Sequence, residues 1–133
     1  MQGYNVIAVF DPTREKLLMC RRRKAPYQGL LNMVGGKIEP GEDGFSAAYR
    51  ELREEASVTE ADITLAHIMD FTYYHHDFYL EVYAGILNHH ANVAGDENEL
   101  LWAQLNQDFN DTSRFAGDGN IGHILAQIQM SGI

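Results

Sequence analysis

Glu51, Glu54 and Glu55 stand at i, i+3 and i+4 within the stretch 35–58, Gly-Gly-Lys-Ile-Glu-Pro-Gly-Glu-Asp-Gly-Phe-Ser-Ala-Ala-Tyr-Arg-Glu-Leu-Arg-Glu-Glu-Ala-Ser-Val. On a helix that spacing puts all three carboxylates on one face. Phe45, Ala48, Tyr49, Leu52 and Ala56 make an apolar stripe beside them, the face expected against a core. Two readings fit this geometry. One is a solvated acidic face shared with Arg50 and Arg53, since like charges at i,i+4 cost only ~0.2–0.5 kcal/mol when exposed. The other is a cation site: carboxylates ~5 Å apart repel by roughly 3 kcal/mol at an effective dielectric near 20. Three such groups at the edge of a core need a counter-ion. Oxygen-only donors select a hard divalent ion, Mg²⁺ with Mn²⁺ as substitute, over Zn²⁺.

The elements that must hold these acids can be read outward from them. Asp43 is the expected N-cap of the acidic helix, which should end near Ser57. Pro40-Gly41 is a turn, and Gly35-Gly36 either a tight turn or a place where backbone approaches a ligand. Upstream, residues 5–10 and 16–22 are expected strands forming a hairpin about the turn 11–13, followed by a loop over 23–29 and an extended piece over 30–34. Downstream, 63–75 and 78–87 alternate as two long strands joined near His76-Asp77, and 100–105 is a shorter one. A polar, glycine-bearing loop over 110–120 precedes an amphipathic helix over 121–130, with Asn120 or Asp118 as its cap. Two helices and about six strands in this order fit an α/β (α+β) fold with one mixed sheet between helices.

Composition narrows the function classes. A chain of 133 residues, 45% hydrophobic and 22% charged, fits one globular domain, residues 1–133. No run approaches the ~18 apolar residues of a membrane span, and the N-terminus lacks the pattern of a signal peptide. Cys20 is the one cysteine, which points to a buried strand thiol and a reducing, cytoplasmic setting. The formal charge of −9 argues against binding a nucleic-acid polymer and would repel a polyphosphate at long range. Arg21-Arg22-Arg23-Lys24 and Lys37 can offset that locally, or the basic run simply guards a strand edge. The pairs His75-His76 and His89-His90 lack the spacing of a metal site, and Trp102 reads as core.

Gly36, Glu42 and the run Arg50-Glu51-Leu52-Arg53-Glu54-Glu55-Ala56-Ser57-Val58 closely resemble the signature box of the Nudix hydrolases. One position departs: Ser57 stands where that family usually has Gly. A left-handed helix C-cap there would cost Ser about 1 kcal/mol. The resemblance implies an α/β/α sandwich and Mg²⁺-dependent attack of water on a phosphoanhydride. It implies Glu51, Glu54 and Glu55 as ligands, with the Gly36 carbonyl and a further acid, Glu99 or Glu97. Arg50 is then an orienting cation, Glu42 a supporting acid, and Glu54 the first choice for activating water. Within the family, the segment around Asn32 resembles members that hydrolyse 8-oxo-dGTP to a monophosphate and pyrophosphate. Asn32 and Asp118 would read a purine edge, Phe115 would stack on it, and Arg22 and Lys37 would meet phosphates. Asn32 as a turn-satisfying side chain and Asp118 as a helix cap are the structural alternatives. Tyr73 or Tyr74 would suit a dinucleoside-polyphosphate hydrolase. A nucleotide sensor is a third reading, although sensors tend to lose box glutamates and this chain keeps them. The partner is a small nucleotide, with the chain a monomer or homodimer.

Overall fold

The computed structural model describes residues 1–95 and 97–133. In chain order it contains β1 (Gln2–Phe10), β2 (Lys16–Arg21), β3 (Leu31–Lys37), α1 (Gly44–Ala56), β4 (Ala66–Tyr73), β5 (Phe78–Ile86), β6 (Glu99–Gln104) and α2 (Asn120–Met130). The strands form one mixed sheet in the order β4-β5-β1-β3-β2-β6. β1 lies parallel to β5 along its whole length, Gln2 beside Phe78 through Phe10 beside Ile86. The pairs β1–β3, β2–β3, β2–β6 and β4–β5 are antiparallel. The expected β1–β2 hairpin survives only at its root, Phe10 opposite Leu17, because β3 inserts between the two strands.

Alternation along the strands sends side chains to two cores, one per sheet face. Ile7, Val9, Leu18, Cys20, Val34 and Tyr83 pack with Ala48, Leu52 and Ala56 of α1. Ala8, Leu17, Met19, Met33 and Val82 pack with Ile121, Ile124 and Ile128 of α2. A helix on each face makes the α/β/α sandwich. Phe45, expected in the core, is 43% exposed; Ala47 and Glu51 take the buried positions instead. Trp102 packs against the α1-side core, and the Cys20 thiol is buried, its pKa pushed up to about 11 chiefly by desolvation.

Several boundaries differ from the sequence reading. β3 runs on through Gly35 and Gly36 to Lys37, so these glycines are strand residues; at Gly35 a Cβ would lie 2.1 Å from the Asn5 carbonyl oxygen. The strand expected over 63–75 begins at Ala66, Ile63 forming only an isolated bridge to Leu87, and its end winds into a single 3₁₀ turn, Tyr74–His76. Neither Asn120 nor Asp118 caps α2. Gly119, at φ 91°, holds that position, while the Asn120 amide donates to the Tyr73 hydroxyl at 2.6 Å. Among the described residues no helix is long and apolar enough to cross a membrane.

Candidate active site

Asp43 starts α1 as expected, its carboxylate accepting from the Ser46 N–H and hydroxyl, each at 2.9 Å. At the other end Ser57 adopts the left-handed conformation, φ 59° and ψ 29°. Its N–H donates to the Arg53 carbonyl at 3.1 Å and that of Val58 to Leu52 at 3.4 Å. Buried Leu52 and Val58 share the α1-side core, and the Ser57–Arg53 bond closes the helix in the αL motif despite the missing glycine. The helix is therefore held at both ends, which fixes the acidic face against β1 and β3.

Glu51 is 9% exposed and lies over Gly36 on the sheet. A Cβ on Gly36 would come within 2.5–2.6 Å of the Glu51 carboxyl carbon and oxygens, so only glycine lets this acid sit against the strand. Glu55 accepts the Gly35 N–H at 2.9 Å. Its pKa is pushed up to about 7, first by desolvation and then by the charges of Glu51 and Glu97, against lowering by the Gly35 N–H and Arg22. Desolvation also raises that of Glu51, in spite of Arg50. Arg50 is the counter-charge of the cluster. Its guanidinium donates to both oxygens of Glu42 at 2.7 and 2.8 Å, to Glu51 at 3.0 Å, to Glu54 at 3.2 Å and to the Lys37 carbonyl at 2.9 Å. This fork holds the Glu42 carboxyl near pKa 2, aided by the Glu39 N–H. Glu54, with a side chain 58% exposed, is the acid of this face that reaches solvent.

These features fit a hard divalent ion: clustered oxygen donors, desolvated acids whose charge is costly without a cation, and a glycine cradle beneath one of them. Glu51, Glu54 and Glu55 would hold it. Among the described residues no three acids, cysteines or histidines already stand together as a metal cage. Arg50 accounts for that, drawing Glu51 and Glu54 to itself while Glu55 turns to the Gly35 N–H.

The chain from residue 1 to 114 matches the family model for the NUDIX domain. This chain belongs to the Nudix family. Over 62 residues it is 36% identical to the 8-oxo-dGDP phosphatase NUDT18 of Mus musculus, a match covering 47% of this chain and 19% of that one, so the shared stretch is about a fifth of that relative's length. The fold resembles that of a C. elegans Ap4A hydrolase in a binary complex, TM-score 0.77 with 18% identity over 100% of both chains. It also resembles a MutT from work on the Aliivibrio salmonicida and Vibrio cholerae proteins, TM-score 0.74 with 16% identity over 97% of this chain and 98% of that one. At such identities the likeness is one of fold.

The remaining site expectations of this Nudix domain divide. Arg22 lies near enough for its charge to be felt at Glu55 and Cys20, though its Nε donates to the Pro26 carbonyl at 2.7 Å. Lys37 is exposed beside the Arg50 fork. Asn32 pairs with Cys20 and so shares the α1 face of the sheet; its Oδ1 accepts the Met33 N–H at 2.9 Å. Phe115 corrects the reading: it is 1% exposed, tilted against Phe109 with ring centres 4.9 Å apart and the Arg114 guanidinium over it. It is core on the α2 side and offers no ring to a base. Asp118 is exposed on a separate loop and accepts from the Tyr27 hydroxyl at 3.0 Å. Glu99 pairs with Arg21 at 3.4 Å on the exposed strand edge, and Glu97 is the loop acid whose charge reaches Glu51 and Glu55.

Asn5 escaped sequence reading. It is 2% exposed, its Oδ1 accepts the Gly36 N–H at 3.0 Å, and its Nδ2 has no partner among the described residues. An amide at the head of the run Val-Ile-Ala-Val-Phe was the available signal. A groove of about 640 Å³ lies on the α2 side between Phe10, Leu105, Phe109 and Leu125 and is lined by none of the box acids.

The Gly36 cradle gives a direct test. Gly36→Ala should leave the fold intact, since the flexible end of Glu51 can yield, but should displace that carboxylate. Mn²⁺ affinity is expected to fall about tenfold or more. Unchanged affinity in a metal titration would separate Glu51 from the ion site.

Proposed function

We propose that this Nudix domain hydrolyses a nucleoside triphosphate, with an oxidised purine such as 8-oxo-dGTP as its preferred base, to the nucleoside monophosphate and pyrophosphate. The observation that carries the reading is the desolvated pair Glu51 and Glu55, seated on Gly36 and Gly35 with Glu54 beside them. Water adds at one phosphorus of the anhydride and gives up a proton, the bridging P–O bond breaks, and the other phosphoryl fragment departs with the bridging oxygen. A bound Mg²⁺ would neutralise charge on the phosphoryl oxygens and lower the pKa of water. The protein's own residues do the rest. Glu51, Glu54 and Glu55 would seat the ion, with Glu97 joining them from the loop. Arg50 holds Glu42, Glu51 and Glu54 in one array, so each acid keeps its direction as charge moves. Glu54, the solvent-facing member, accepts the proton of the attacking water. Arg22 and Lys37 supply positive charge for the phosphates in a strongly acidic chain.

Asn32 supplies a donor and an acceptor to the base once its bond to the Met33 N–H is exchanged. The resemblance to a relative named for 8-oxo-dGDP supports an oxidised purine and leaves the diphosphate as the competing substrate. Asn32→Ala is expected to raise KM for purine nucleotides about five- to tenfold, the worth of one hydrogen bond of ~1–1.5 kcal/mol. An equal rise for pyrimidines would remove the base-reading role. The overall reading is tested by incubating the protein with Mg²⁺ and a panel of tri- and diphosphates and identifying the products. Monophosphate and pyrophosphate from an oxidised purine triphosphate are expected, and an untouched panel would end the proposal. A second reading, hydrolysis of dinucleoside polyphosphates, draws on Tyr74, which is 81% exposed at the end of β4. Faster turnover of such a substrate than of any triphosphate would select it.

A further inference from the structure

We propose that Ser57 is a positioning residue: its side chain clasps the loop 91–95 to the end of α1 and thereby sets Glu97 against the acids of the helix. The inference rests on the metal-site reading above and concerns the place where this chain departs from its family's glycine. As a mere helix ending, position 57 would be better served by Gly, because a Cβ is strained at φ 59°. Ser supplies what Gly cannot. Its hydroxyl donates to the Ala94 carbonyl at 2.9 Å, and the Ala94 N–H donates back to the Ala56 carbonyl at 3.1 Å. The two bonds form a reciprocal clasp across 37 residues of sequence.

The neighbouring residues show the same close fit. A Cβ on Gly95 would stand 1.9 Å from the Glu55 carbonyl oxygen, so the loop lies directly on the turn that carries Glu54 and Glu55. Ala91 and Val93 pack against the α1-side core and anchor the loop from its other end. Two residues beyond Gly95 comes Glu97, whose charge reaches both Glu51 and Glu55. Among the described residues the Glu97 side chain has no hydrogen bond or ion pair that holds it elsewhere. The clasp therefore holds the loop that leads to this acid against the turn that carries Glu54 and Glu55.

The decisive variant is Ser57→Gly, which removes the hydroxyl and the strain together. Mn²⁺ binding, followed by electron paramagnetic resonance, and metal-free thermal unfolding are measured for wild type, Ser57→Gly, Glu97→Gln and the double variant. Ser57→Gly is expected to unfold at the wild-type temperature or above it, yet to bind Mn²⁺ about five- to tenfold more weakly. In the Glu97→Gln background the same change should have no effect on Mn²⁺. Ser57→Ala, which keeps the strain and loses the hydroxyl, should lose both stability and Mn²⁺ affinity. Wild-type Mn²⁺ affinity in Ser57→Gly, or an equal loss with and without Glu97, would overturn the proposal. Failure of the wild type itself to bind Mn²⁺ would instead remove the metal reading on which it stands.

Discussion

Glu54→Gln is expected to hydrolyse a magnesium triphosphate about 10²–10⁴-fold more slowly than wild type, the range for losing a general base. The unfolding temperature should stay where it was. Glu54 is the exposed acid of the face, held by one 3.2 Å contact with Arg50, so its removal leaves no buried charge uncovered. Gln keeps the shape and the ability to accept a hydrogen bond but takes up no proton at neutral pH. The comparison with Glu55→Gln is informative. Glu55 titrates near neutrality in the metal-free protein, which makes it resemble a base. That elevation comes first from burial, and a divalent ion beside it would remove the penalty on the charged form. Glu55→Gln should thus lose Mn²⁺ affinity foremost, whereas Glu54→Gln should lose turnover at saturating metal. The opposite division would exchange the two roles.

The second large effect is a pH dependence of stability that added metal counteracts. A carboxyl with a pKa of about 7 in the folded chain and 4.5 as its ordinary value binds more protons folded than unfolded within that window. Stability of the metal-free protein therefore falls as pH rises from about 4.5 to 7 and levels off above it. At ~1.4 kcal/mol per pH unit the ceiling is about 3 kcal/mol, with Glu51 adding in the same direction. Glu42 acts the other way but in a lower window. Held near pKa 2 by Arg50 and the Glu39 N–H, it contributes stability that is present above about 4.5 and lost as the pH falls through about 2. With Mg²⁺ the charged acids become the favoured form, so the gain in unfolding temperature should be larger at pH 8 than at pH 5.5. A flat metal-free profile with a pH-independent gain from Mg²⁺ would show that the buried acids do not hold the ion.

How far the sequence could be read depends on which forces act locally. The spacing of Glu51, Glu54 and Glu55, the Asp43 cap and the alternation in β1 and β5 are short-range signals, and the fold respects them. Phe45 misled because an apolar stripe does not say which apolar residue faces the sheet; small Ala47 and Ala48 allow close packing, and Phe45 lies at the rim against His67 and Tyr83. Phe115 misled because burial is a tertiary property: its backbone pairs with Leu31, far away in sequence, and that bridge carries the ring into the α2-side core. The choice between Glu99 and Glu97 turns on how the loop between β5 and β6 passes the end of α1. The contacts that hold the loop there, between Ala94 and residues 56–57, are long-range and no local pattern announces them. Asn5 was visible only as a polar interruption, and its task became clear once β1 and β3 were paired in register.

The central claim is that the acids of one helical face hold a divalent ion for phosphoanhydride hydrolysis. Diffraction from crystals grown with Mn²⁺ and a non-hydrolysable triphosphate, with the anomalous signal of the ion mapped, addresses it most directly. A peak coordinated by carboxylate oxygens of Glu51, Glu54 and Glu55, with phosphate oxygens on its open side, is the expected result. A peak on other residues, with these three side chains left to Arg50 and solvent, would contradict it.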